Sequence, residues 1–402
     1  MPKNSLTEKR VLSTLVSAVI FLILVMIPVC VHAEEITDND FGFSLDVPEG
    51  YTVAEYTPDG MSWRFVHDRL PVSLILKLYA GGQYKTCKDA LSGTLDRLSA
   101  EYDADTFEWQ TVPSAIASFS MTLGTASGYS GWAAGVLLPE KNVHLILICY
   151  ADKEKADSCQ QFIISTLNSL SISRSGRFSP GIFTAYAFPP AGKKSVRLNI
   201  SGIAIDTEID ADDEKAAQFV IDCEFAVLSL YAENEKWKEA WIRYYKNIFR
   251  DSFSRMKKAA DDIQTVLLPL ANRRNKTNPD AAMNELLLDW VQGFRYERQN
   301  QDKKQSDFAN LPSVLCGAGS DCDSRSMLMC ALLGNMGIKS NVFVSREYSH
   351  AVYGADISVP GAKINVGGTD YILGETTAKN VRPGLILSEM SDTSKWIPVD
   401  FF

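Results

Sequence analysis

From residue 41 onward the apolar residues recur at every second position in short runs. Phe41, Phe43, Leu45 and Val47 share one face and are stopped by Pro48-Glu49-Gly50, the signature of a half-buried strand and its turn. Strand-like runs follow at 61–66, 72–79, 114–123, 129–138 and 143–150, and Pro139-Glu140-Lys141-Asn142 reads as the turn joining the last two. Two stretches change to helical spacing: 86–100, through Ala90, Leu91, Leu95 and Leu98, and 158–170, through Phe162, Ile163 and Leu167. Strands in series with two flanking helices predict an antiparallel α+β domain over 34–172. A Ser-rich stretch with Gly and Pro then opens a linker, 173–194, ahead of a second domain at 195–402.

In that second domain Val196, Leu198 and Ile200 alternate, and from Ala211 to about Leu270 the period is helical. One stripe runs through Ala216, Phe219, Val220, Cys223, Ala226 and Val227. An aromatic stripe runs through Trp237, Trp241, Tyr244, Tyr245 and Ile248 and is read as core or interdomain packing. The polar stretch 272–279 breaks the pattern, a helix follows around Trp290, and a polar loop at 299–310 leads to Leu311-Pro312. The expected fold class is α+β: an antiparallel α+β domain, then a helical segment leading into a second α+β domain.

Lys3, Lys9 and Arg10 precede an apolar run from Val11 to Val31, closed by Ala33 and then Glu34-Glu35. A basic flank, an apolar body and a small residue before a polar start make 1–33 a signal peptide, with an uncleaved anchor as the alternative. The expected location is therefore extracytoplasmic, periplasmic or secreted, with membrane contact only through that segment if it is retained. Cys30 follows Val29, where a lipidated cysteine needs a small residue, so lipidation is not expected. A formal net charge of -9 with no long basic run argues against nucleic acid as a partner. Gly317-Ala318-Gly319 lacks the Lys-Ser/Thr of a phosphate loop. His350 is the one histidine of the second domain, and no HExxH or paired CxxC accompanies it, so neither cofactor nor metal is expected.

The candidate chemistry lies at Gly319-Ser320-Asp321-Cys322-Asp323-Ser324-Arg325-Ser326, followed by the apolar run Met327 to Leu333. Asp321 or Ser320 suits a helix N-cap, the run suits a buried helix body, and Gly337 suits its stop. Cys322 then sits at a helix N-terminus, where unpaired N–H groups and the dipole favour a thiolate. A lone cysteine is more often a small buried apolar residue. The company of His350 and Glu375 changes that reading, because thiol catalysis needs a nucleophile, a base that later acts as acid, and an acceptor that orients the base. Cys322, His350 and Glu375 are assigned those roles in that order. The backbone N–H of Cys322 is the candidate oxyanion donor. In an exported protein Cys149 and Cys159 are the likeliest pair to form a disulfide, and Cys316 stands close enough in sequence to trap Cys322.

The segments GSDCDSRSMLMCALLGNMGI, SHAVYGADI and YILGETT resemble the transglutaminase-like superfamily, whose core is shared with papain-like cysteine peptidases. The resemblance spans about 280–398 and takes in the helix through Leu288 and Trp290. Glu375 stands where that family usually has Asp, and Ser320-Asp321 stands between Gly319 and Cys322 where it often has one residue. The resemblance implies a thioester intermediate at Cys322. The opening Phe43 to Tyr51 and the closing strand-then-helix of the first domain are similar to photosystem-P-protein and Mog1-type domains. The expected function is that of an exported thiol-dependent hydrolase, a cysteine peptidase or amidase. It would cleave peptide or isopeptide bonds in a peptide or protein substrate, of the cell envelope for instance. Acyl transfer to amines, as by a transglutaminase, is the alternative, and a catalytically silent envelope binding protein is the third reading.

Overall fold

A computed structural model describes residues 35–122, 128–138, 140–298 and 305–402. The signal-peptide reading of 1–33, Pro139 and the stretch 299–304 lie outside the described residues. The fold is α+β, with mixed helices and antiparallel sheets.

The alternating half folds as β3 (Tyr51–Tyr56), β4 (Ser62–His67), β5 (Val72–Tyr79), β6 (Glu101–Trp109), β7 (Val112–Thr122), β8 (Gly128–Leu138) and β9 (Val143–Asp152). These strands form one antiparallel sheet in the order β3-β4-β5-β9-β8-β7-β6. The central strand β9 is apolar at nearly every position because both of its faces are covered. Leu145, Leu147 and Cys149 join the cluster under helix α2 (Gln160–Asn168), and Ile146 and Ile148 join the one under helix α1 (Cys87–Arg97). Helix α1 starts at a reciprocal cap, in which Thr86 Oγ1 accepts from Asp89 N and Asp89 accepts from Thr86 N. A smaller sheet sets β2 (Phe43–Leu45) between β1 (Ile36–Asp38) and β10 (Leu170–Ser171). The strands β3 and β6 were not anticipated from the sequence. Both are sheet edges whose side chains mostly face water, so alternation there carries little apolar signal.

The expected pairing of Cys149 with Cys159 is not formed: both are free thiols, and Cys149 Sγ lies 3.5 Å from the Tyr51 hydroxyl. Among the described residues no helix is long and apolar enough to cross a membrane.

After the hairpin of β11 (Lys193–Ile200) and β12 (Ile203–Asp210) come α4 (Asp213–Ser229), α5 (Trp237–Arg255), α6 (Lys257–Arg274) and α7 (Pro279–Gln292). A short α8 (Leu311–Leu315) leads to α9 (Cys322–Asn335), which is buried from Ser324 to Leu333. Helix α9 packs on a five-stranded antiparallel sheet built from β13 (Ser340–Ser345), β14 (His350–Ala355), β15 (Lys363–Val366), β16 (Thr369–Gly374) and β17 (Ile397–Val399), in the order β15-β16-β14-β13-β17.

The stretch 173–194 is itself structured, with helix α3 (Ile182–Ala187) burying Ile182 and Phe183. Across it, Trp109 Nε1 donates to Pro180 O at 2.9 Å, and Arg250 donates to the carbonyls of Asn168 at 2.6 Å, Ser179 at 3.2 Å and Leu170. Arg243, also on α5, donates to Ser165 Oγ at 3.0 Å and pairs with Glu224 at 3.2 Å and Glu49 at 3.6 Å.

Candidate functional site

Asp321 is the cap of α9. Its Oδ1 accepts from Ser324 N at 3.0 Å and from Ser324 Oγ at 2.5 Å, which fixes the first turn and makes Cys322 its first residue. Gly337, with φ of 87°, takes the left-handed position just past the helix end. The thiol of Cys322 is only 4% exposed and donates to Asp323 Oδ1 at 3.1 Å, while Asp323 Oδ2 accepts from the Tyr245 hydroxyl.

This environment overturns the expectation of a thiolate. Burial, then the carboxylates of Asp323 and Asp321, push the thiol far above its ordinary range; an N–H of Ala351 facing the sulfur opposes them and is outweighed. Burial and the neighbouring Asp323 push Asp321 up to about 7, and burial raises Asp323 as well. Burial and the two neighbouring carboxyl groups thus favour the protonated thiol in the resting site.

His350 opens β14, and Glu375 lies one residue past the end of β16. The Gly374–Tyr353 pairing of those strands brings the two side chains together, with His350 Nε2 2.7 Å from Glu375 Oε2. Glu375 Oε1 accepts from Thr377 N at 2.7 Å and Thr377 Oγ1 at 2.6 Å. Burial pushes the Glu375 carboxyl up, but the bond and charge of His350 and the donors of Thr377 outweigh it and hold the group below its ordinary value. Trp396 lies beside the pair, its ring centre 6.4 Å from that of His350.

Glu375 stands outside the strand and is held by its side-chain hydrogen bonds. The nearby acid Asp370 lies within β16, where it bonds Lys363 at 2.5 Å and Asn365 at 2.8 Å and faces solvent.

Cys322 and His350 line one open cleft of about 260 Å³, together with Trp241, Tyr245, Asp307 and Arg346. The aromatic stripe of α5 is thus only partly core. Tyr244, Tyr245 and Ile248 are all buried, and Tyr245 together with the partly exposed Trp241, one helical turn before it, also lines the cleft. Their spacing was legible in the sequence, and what they face was not. Cys316 is exposed, next to Lys194 and Glu214, and both it and Cys322 are free thiols. Among the described residues no cluster of three or more His, Cys, Asp or Glu side chains is arranged to hold a metal ion.

No family model matches the chain, and no curated protein matches it. Among solved structures, cyanobacterial PsbP from Synechocystis sp. PCC 6803 aligns at 11% identity, covering 36% of this chain and 95% of that one, with a TM-score of 0.30. The Ran-binding protein Mog1p of Saccharomyces cerevisiae aligns at 13% identity over 35% of this chain and 94% of its own, with a TM-score of 0.27. A protein from Bacteroides thetaiotaomicron covers 66% of this chain and 81% of its own at 12% identity and a TM-score of 0.20. The first two weakly resemble the N-terminal part. At these TM-scores the likenesses carry no argument about function.

Proposed function

We propose that the protein is an exported thiol-dependent hydrolase acting on peptide or isopeptide bonds through Cys322, His350 and Glu375. The observation that carries this reading is the 2.7 Å bond between His350 and Glu375, opening on the same cleft as Cys322. The resemblance of residues 280–398 to transglutaminase-like proteins supports it independently.

In this mechanism Glu375 occupies Nε2 of the imidazole, which leaves Nδ1 to take the thiol proton. The thiol turns from Asp323 toward His350, and the thiolate attacks the amide carbonyl carbon. The new C–S bond forms, the C–N bond breaks, and His350 returns the proton to the leaving amine. Water, deprotonated by the same imidazole, then releases the acid and restores the thiol. The N–H of Cys322, in the first turn of α9, has no partner within the helix and is the oxyanion donor of the scheme.

The test is to trap the acyl-enzyme. The chain is mixed with a panel of labelled peptide amides and thioesters, quenched in acid and mapped by mass. An acyl adduct on Cys322 that decays to free acid in water is expected. Decay only on addition of a primary amine would move the assignment to acyl transfer. No adduct in the wild type, or an adduct that survives in Cys322→Ala, would overturn the reading.

A further inference from the structure

Arg325 is among the largest fully buried side chains described, at 1% exposure, and it stands in the first turn of α9, three residues after Cys322. Both facts make it costly. A buried cation needs compensation, and the N-terminal end of a helix repels positive charge. Among the described residues no carboxylate pairs with it. Its acceptors are neutral instead: Nε donates to Ser320 Oγ at 3.1 Å, Nη1 to the carbonyl of Thr376 at 3.2 Å, and Nη2 to the carbonyl of Phe294 at 2.8 Å. The ring of Tyr296 covers the guanidinium, its centre 5.4 Å from Cζ.

These three acceptors belong to three separate segments. Ser320 lies in the loop entering α9, Phe294 follows α7, and Thr376 adjoins Glu375. The first two are also joined directly, by Ser320 N to Arg295 O and Glu297 N to Ser320 O, each at 3.1 Å. The third has left its strand, because β16 ends at Gly374. Past that end, two buried side chains hold consecutive carbonyls: Gln292 Nε2 donates to Glu375 O at 2.8 Å, and Arg325 Nη1 donates to Thr376 O. Gln292 reaches it from α7, and Arg325 reaches it from the helix that carries the cysteine.

We infer that Arg325 is a positioning residue for the reaction proposed above: its guanidinium ties the segment bearing Glu375 to the helix bearing Cys322, and so fixes the acid, through His350, relative to the thiol. The inference rests on that reading of the site. A planar fork with several donors suits carbonyls in different directions, which an ammonium cannot reproduce. Burial lowers the proton affinity of the guanidinium, and Tyr296, Asp321, Cys322 and Glu375, all close enough to act on its charge, oppose that lowering.

The test compares wild type, Arg325→Met and Arg325→Lys in labelling of Cys322 by a peptidyl chloroacetamide, with the maximal inactivation rate and the half-saturating probe concentration measured separately. Thermal unfolding serves as the control for folding. The expected result is a loss of at least about tenfold in the maximal rate for Arg325→Met, with half-saturation within about twofold, since a 1 Å misplacement of a reacting group can cost about 100-fold. Arg325→Lys should regain less than half of the loss. A folded Arg325→Met whose maximal rate stays within about twofold of wild type would overturn the inference and leave the hydrolase reading standing. If Arg325→Met does not fold, the same criterion applies to Arg325→Lys, which must lose at least about fivefold in rate at unchanged half-saturation. A wild type whose Cys322 labels no faster than Cys316 would instead overturn the hydrolase reading, and this inference with it.

Discussion

Replacing Asp323 with Asn should make Cys322 more reactive, although it removes a group that bonds the thiol. In the resting protein the sulfur donates to Asp323 Oδ1 at 3.1 Å, so forming the thiolate places two negative charges side by side in a buried site. At that separation two full charges in an effective dielectric of about 20 repel by about 5 kcal/mol. Burial raises the proton affinity of Asp323, which weakens the repulsion. A quarter of the repulsion is about 1.4 kcal/mol, or one pKa unit. Asparagine keeps an oxygen for the Tyr245 hydroxyl and turns an amide donor toward the sulfur, so the local bonds survive. One unit raises the thiolate fraction about tenfold, while nucleophilicity falls about threefold, which leaves a net gain of about threefold. The assay is the pH dependence of iodoacetamide alkylation at Cys322, followed by mass. The midpoint should fall by about one unit and the rate at neutral pH should rise about threefold. A midpoint that stays put or moves upward would show that Asp323 is not what holds the thiol protonated.

Three further outcomes follow from the same geometry. Glu375→Gln should retain the fold and lose acylation rate toward the roughly 10⁴-fold seen for an acid-to-amide change in the serine triad, because an amide can present its NH₂ to Nε2 and favour the wrong tautomer. Single-turnover acylation measures it. Asp370→Asn, at an exposed site across from Lys363, should be within about twofold of wild type in the same assay, since surface ion pairs contribute about 0–1 kcal/mol. Asp321 has its native pKa raised to about 7 from an ordinary 3.8, so its protonated form stabilises the fold fully below about pH 4, and that contribution disappears as pH rises through 7. Urea unfolding should show wild-type stability declining over that window, with a shallower decline in Asp321→Asn.

How far the sequence could be read depended on whether a position's neighbours were local. The capped helix at Cys322 and its Gly337 stop follow from residues within a few positions of one another, and they fold as read. The pairing of His350 with Glu375 was reached by resemblance, since no local rule joins residues separated by a hairpin. The resting state of the thiol was misjudged because the helix N-terminus is a local signal, whereas burial and the approach of Tyr245 to Asp323 are tertiary. Arg325 drew no attention in the sequence, where an arginine in a helix reads as a solvated face. Its burial is explained by tertiary partners: the carbonyls of Phe294 and Thr376, the Ser320 hydroxyl and the Tyr296 ring.

Helix α5 connects the candidate site to the first half of the chain, because its opposite faces serve different ends. Trp237, Trp241 and Tyr245 repeat every fourth position, the latter two lining the cleft, while Arg243 and Arg250, seven apart, bond helix α2, and Arg250 also the carbonyl of Leu170 in β10. Arg243 is the more demanding of the two arginines: it is 3% exposed and lies between the buried carboxylate of Glu224 and the partly buried one of Glu49. Arg243→Met keeps most of the apolar stem and strands two acids, so it should cost about 3–5 kcal/mol in urea unfolding at neutral pH. The sign of the pH dependence follows from Glu49. Burial already raises its native pKa despite Arg243, and removing the arginine raises it further. A group raised in the native state contributes fully below its unfolded pKa and loses that contribution as pH rises through the native value. The loss caused by Arg243→Met should therefore be small near pH 4 and should grow toward pH 8. An equal loss at both ends would mean that Arg243 acts by filling space, and that its charge has no part in holding α5 against helix α2.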